Sequence, residues 1–196
     1  MKRRTCSLAV CLLAALAVRT RGAEPLPAPV DPGSRLGHSL SEQFVNGPHA
    51  GTRRSLICHL AGRPAVLVYA RGTDPGVVEL LRRLDAVALC GKDQDMTSAC
   101  VLLTGQEEDL QTLQALAQRE TFGRTVLAAT PLQWERPYFG SLPNRRNLHK
   151  EAAVTVILLR RLRVESSYAF REGELTDHDV DEIVKAASAL LAPLPR

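Results

Sequence analysis

The stretch 63–89 places the tightest constraint on what this chain can fold into. An unbroken apolar run, Ala65-Val66-Leu67-Val68-Tyr69-Ala70, passes through Arg71-Gly72-Thr73-Asp74-Pro75 into a strongly periodic segment. An apolar run without alternation predicts a central parallel strand covered on both faces. Asp74 suits a helix N-cap, and Pro75 suits the first helical position, where a missing N–H costs nothing. Val77, Leu80, Leu81, Leu84 and Val87/Ala88 then recur at helical spacing and form one buried stripe.

The same alternation continues downstream. Cys100-Val101-Leu102-Leu103-Thr104 predicts a second buried strand, and Glu107, Glu108 and Asp109 load the first turn of a second helix with favourable negative charge. Leu110, Leu113 and Leu116 give that helix its core face, and residues 125–129 read as a third strand. An irregular connection follows over 130–150. Residues 154–159 and 164–170 then predict an antiparallel hairpin, and Thr176 starts a last helix with Asp177 and Asp179 in its first turn. The predicted order is β-α-β-α-β, an irregular connection, then β-β-α. Such an order implies right-handed crossovers and a sheet sandwiched between helices.

Upstream, the signals change. Lys2, Arg3 and Arg4 precede an apolar segment over residues 8–18 that is too short to span a bilayer, and small residues end at Gly22-Ala23. Residues 1–23 read as a Sec-type signal peptide cleaved after Ala23, which predicts export to a periplasmic or extracellular space. The five basic residues Lys2, Arg3, Arg4, Arg19 and Arg21 leave with it and take the net charge from +4 to −1. The exported chain therefore lacks the basic surface that nucleic acid would require, and no second segment is long enough for a membrane span. Residues 24–52 are rich in Pro and Gly and read as a linker and irregular lead-in, leaving 53–196 as one domain. Cys58, Cys90 and Cys100 remain after cleavage, an odd number that argues against a disulfide-built scaffold.

Three segments carry a family resemblance: Gly47-Pro48-His49-Ala50-Gly51, residues 62–71 from Gly62 to Arg71, and residues 168–176 from Tyr168 to Thr176. Together with the element order, they resemble the secreted thioredoxin-like or redoxin-like proteins over about residues 52–192. The resemblance implies a thioredoxin-like α/β sandwich with its active site at the first strand-turn-helix. There a thioredoxin carries a Cys-x-x-Cys whose low-pKa thiolate sits at a helix N-terminus. Here the corresponding positions are Thr73, Asp74, Pro75 and Gly76, and both sulfurs are absent. The family's cis-proline before the hairpin is replaced by Val154, which is expected to be trans because a non-proline cis bond costs several kcal/mol.

Cys58 is the residual redox candidate. Ser55-Leu56-Ile57-Cys58 resembles a Cys-x-x-Cys of some relatives with its first sulfur lost, leaving either an inert remnant or a reactive thiol beside His59. In a strand, adjacent side chains point to opposite faces, which would separate the two. Cys90 and Cys100 flank the turn between the first helix and second strand and are a candidate disulfide; the alternative is that Cys100 simply packs in its strand. Thr73-Asp74 reads as a helix cap against an anion or metal site. The histidines His38, His49, His59, His149 and His178 show no metal-ligand spacing, and no cofactor motif stands out. Trp134, Tyr138 and Phe139 lie among Arg136, Arg145, Arg146 and Lys150, a composition that suits either a protein-partner surface or a cover for the core edge. Two functions emerge: an exported, non-catalytic binding or structural module, or an atypical single-cysteine thiol redox protein using Cys58.

Overall fold

The structure, a computed structural model, describes residues 26–36, 41–104, 107–131 and 148–192. The segment 1–23 read as a signal peptide and the aromatic residues Trp134, Tyr138 and Phe139 lie outside the described residues. In chain order the elements are β1 (Ser41–Phe44), β2 (Arg53–Ser55), α1 (Leu56–Leu60), β3 (Ala65–Ala70), α2 (Pro75–Cys90), β4 (Thr97–Thr104), α3 (Glu107–Glu120), β5 (Thr125–Pro131), β6 (Val154–Arg160), β7 (Arg163–Phe170) and α4 (Asp177–Ala189). The strands form one sheet in the order β2-β1-β5-β4-β3-β6-β7. The pairs β3/β4 and β4/β5 are parallel, as the apolar runs predict, and β6/β7 is the antiparallel hairpin, docked on β3.

Alternation along each strand divides the core between two faces. Val66, Val68 and Ala70 face the cluster shared with α2, α3 and α4, whereas Ala65, Leu67 and Tyr69 face the cluster that contains Leu56 and Leu60 of α1. Gly91 ends α2 where no side chain fits. A Cβ there would overlap Leu191 and come within 3.0 Å of the Met96 Cβ. At the opposite border of the sheet, the Arg161-Leu162 turn between β6 and β7 has positive φ at both residues, 53° and 62°. Such turns favour Asn or Gly. Here the Leu36 N–H donates to the Leu162 carbonyl at 2.9 Å while the Leu36 side chain is buried, so a distant segment holds the turn.

Two expectations are corrected. The segment read as a linker and lead-in supplies β1, whose Phe44 and Glu42 are fully buried, and an edge segment in which Arg35 bridges to Arg163 of β7. A boundary at residue 53 would divide β1 from its partner β2. The local composition is coil-like, but pairing with β2 and with Ala128–Ala129 of β5 imposes the strand. The second correction concerns the cysteines. Cys58, Cys90 and Cys100 are all free, so the candidate bridge between Cys90 and Cys100 does not form. β4 begins at Thr97, three residues earlier than expected. Cys100 therefore sits mid-strand between Val68 and Leu127, wholly buried, while Cys90 ends α2 exposed to solvent.

Candidate functional site

Chemistry-bearing residues gather at the two ends of β3. At its C-terminal end, the turn leads into α2 with Asp74 as N-cap: its Oδ1 accepts from the Val77 N–H at 3.0 Å, and Pro75 is the first helical residue. The cap supplies one of the acceptors that a helix N-terminus lacks, and its negative charge is favourable at the positive end of the dipole. Gly76 is partly buried. An added Cβ would lie 3.3 Å from Asp74 Oδ1 and 3.7 Å from the Leu175 carbonyl oxygen. Arg71 is held across the gap to β6, its N–H donating to the Ala153 carbonyl at 2.9 Å and its Nε to that of Ala152 at 3.1 Å. Val154, the first residue of β6, pairs with Ala70 and is buried; no cis peptide bond occurs among the described residues. The structure thus brings Thr73, Asp74, Pro75, Gly76 and Val154 to one end of the sheet. They supply no nucleophilic sulfur there, and thiol–disulfide exchange requires a thiolate.

Cys58 lies at the other end. β3 spans six residues, so its ends are roughly 20 Å apart. The segment 55–58 is not the extended lead-in that the sequence suggests but the first turn of α1, so Cys58 and His59 are helical neighbours rather than strand neighbours. Ser55 caps the helix, its Oγ accepting from the Cys58 N–H at 3.0 Å, and buried Glu42 of β1 accepts from the Leu56 N–H at 2.9 Å. The helix stops at Ala61 and Gly62, both left-handed, with φ of 48° and 79°. Arg63 closes this end: its guanidinium donates to the carbonyls of Leu60 and His59 and to Asp95. Asp95 is shared with Arg124, and the two guanidiniums hold its carboxyl below the usual range.

His59 packs edge-on against Phe44 and against His49, with ring centroids 5.6 and 5.3 Å apart. Burial, then the positive charge of Arg63 and the His49 ring, lowers the His59 pKa below its ordinary value. At neutral pH the ring is uncharged, so it offers Cys58 no imidazolium to stabilise a thiolate. Exposed Cys58 nevertheless shares a cleft of about 550 Å³ with His49, Arg54, Ser55, His59 and Arg63. The buried Cys100 thiol is pushed up to about 12 and is inert as a nucleophile. Among the described residues, no group of three or more His, Cys, Asp or Glu side chains is arranged to hold a metal. Sequence spacing does not reveal the His49–His59 pairing, because the approach depends on the fold of the β1–β2 hairpin. The Gly-Pro-His-Ala-Gly segment is its only local trace.

No family model and no curated protein matches the chain. Solved structures do. A thiol:disulfide interchange protein DsbE from Chlorobium tepidum superposes with a TM-score of 0.59 at 12% identity, over 83% of this chain and 99% of that one. A secreted Mycobacterium tuberculosis disulfide oxidoreductase homologous to E. coli DsbE gives a TM-score of 0.54 at 11% identity, over 77% and 96%. PrxQ from Xylella fastidiosa, in a Cys-to-Ser variant, gives 0.57 at 12% identity, over 82% and 96%. The fold is thioredoxin-like, and at these identities the likeness extends to the fold alone.

Proposed function

We propose that this chain is an exported thioredoxin-fold domain that acts as a binding or structural module and does not catalyse dithiol exchange. The observation that carries this reading is the occupant of the α2 N-terminus: the Asp74 carboxylate caps the helix, and neither Thr73 nor Gly76 brings a sulfur to it. Export is supported by the leader-like segment 1–23 and by a secreted structural neighbour. The composition of the stretch 130–150, arginines beside aromatics, supports a protein as the partner of such a module.

The test is direct. The wild-type chain is expected to show no catalysed reduction of a protein disulfide above the rate of free thiol. Thr73→Cys combined with Gly76→Cys is expected to form a reversible disulfide at the α2 N-terminus under mild oxidation. Wild-type activity would overturn the reading, and two introduced cysteines that do not bridge in a folded protein would overturn the correspondence of the turn.

A second reading is favoured by one observation: Cys58 is exposed in a cleft with His59, whose neutral imidazole is a proton acceptor. In that reading Cys58 acts as a single redox thiol. Alkylation rate against pH, compared with Cys58→Ser, separates the two. A Cys58 thiolate population well below pH ~8.5 would favour one-thiol chemistry over the binding module.

A further inference from the structure

The cleft beside α1 is unlike the turn at the far end of β3 in the charges that surround it. Arg54, Arg63, His49 and His59 line it, and no carboxylate does. Arg63 is fixed by three acceptors, and its carboxylate partner Asp95 is shared with Arg124. One acidic side chain therefore stands against two guanidiniums. The second acidic group nearby, Glu42, is the register partner of Arg54, but its side chain is sealed beneath α1 and accepts from the Leu56 N–H. Arg54 is exposed, and its backbone pairs with Glu42 while its guanidinium makes no side-chain hydrogen bond or ion pair with a described residue. A guanidinium presents several N–H donors in a planar fork suited to carboxylate and phosphate oxygens.

We propose that this cleft is a binding site for a small oxyanion-bearing ligand, which places its carboxylate or phosphate oxygens against Arg54 and Arg63 with the His49 and His59 rings beside it. A volume of about 550 Å³ admits a small organic molecule. The proposal goes beyond the function inferred above, because the ligand is held at the end of β3 remote from the turn and needs no thiol chemistry. Burial first, then the charge of Arg63 and the His49 ring, depresses protonation of His59 while Asp95 opposes it, so an anion held beside the ring offsets the Arg63 and His49 contribution and raises the His59 pKa.

That linkage supplies the experiment. His59 is titrated by NMR in the full-length chain in chloride, inorganic phosphate or succinate at matched ionic strength. Phosphate, succinate or both are expected to raise the His59 pKa saturably above its value in chloride. A response to phosphate alone assigns a phosphoester class, and a response to succinate alone a dicarboxylate class. Arg54→Ala is expected to weaken the apparent affinity about tenfold, the loss of one charge-assisted contact, and Arg54→Lys to restore part of it. Arg54 is exposed on a short edge strand, so these variants retain the fold. The proposal is overturned if neither anion moves His59 relative to chloride, or if the shift persists at full affinity in Arg54→Ala.

Discussion

β3 is preceded by α1 and followed by α2, each helix capped at its N-terminus by a short polar side chain, yet the two helices divide between them what a reactive thiol needs. The 16-residue α2 has a well-formed dipole, but the Asp74 carboxylate occupies its start. The five-residue α1 carries the thiol, Cys58, but has little dipole to lend it, and the adjacent imidazole is neutral at neutral pH. A thiolate of low pKa requires sulfur and positive field at one place. Here they lie at opposite ends of one strand. The thioredoxin-like fold is therefore compatible with a thiol-free turn after β3, because the helix terminus there is stabilised as well by an ordinary cap.

The largest expected effect lies on the α2 side of the comparison. Asp85 of α2 is buried, and its carboxylate accepts from the N–H groups of Gly123, Arg124 and Thr125 at 3.0, 2.8 and 2.6 Å. This one side chain ties α2 to the start of β5. Asp85→Ala leaves those donors without partners and is expected to cost about 3–5 kcal/mol in urea unfolding, with Asp85→Asn costing less because one acceptor oxygen remains.

Next in size are the caps themselves. Glu42→Ala removes a buried acceptor from the Leu56 N–H and is expected to cost about 1–3 kcal/mol, whereas Asp74→Ala, at an exposed cap, is expected to cost about 1 kcal/mol. The two variants also separate by a local readout. Fraying α1 is expected to speed alkylation of Cys58 in the Glu42 variant and leave it unchanged in the Asp74 variant. Equal effects on Cys58 would mean that the two ends of β3 are not independent.

The smallest effect concerns pH. The folded-state pKa of His59 is lowered from 6.5, so the unfolded chain binds a proton at higher pH than the folded one. Stability is expected to fall as pH drops from about 6.5 towards the lower folded value, and the His59→Gln variant should flatten that part of the profile. A wild-type profile that instead rises on acidification through this window would contradict the lowered His59 pKa.

The periodic elements are legible in the residue pattern alone. β3, α2, α3, β5, the β6–β7 hairpin and α4 all follow the apolar patterns of the sequence, and Asp74 and Thr176 cap where expected. The candidate site is legible only in part. The absence of sulfurs at Thr73 and Gly76 is plain in the sequence, as is the presence of Cys58. The β1–β2 hairpin is not, since Pro, Gly and isolated apolar residues give no period, and its buried Phe44 and Glu42 look like any residues of a loop. Cys90 and Cys100 show the same limit: their separation in sequence permits a bridge, but one lies exposed at a helix end and the other is sealed in mid-strand.

What the sequence by itself determined was whatever depends on near neighbours: helix and strand periods, caps, the buried character of the parallel strands, and which residues are missing from the turn after β3. Only the tertiary structure decided that Cys58 lies in the first turn of a helix, that Cys100 is sealed in the core, and that His59 meets Phe44 and His49 in the cleft that Arg54 lines. Those outcomes rest on contacts between segments far apart in the chain. Such contacts form when sheet register and burial of the whole core overrule local preference, which no window of neighbouring residues encodes.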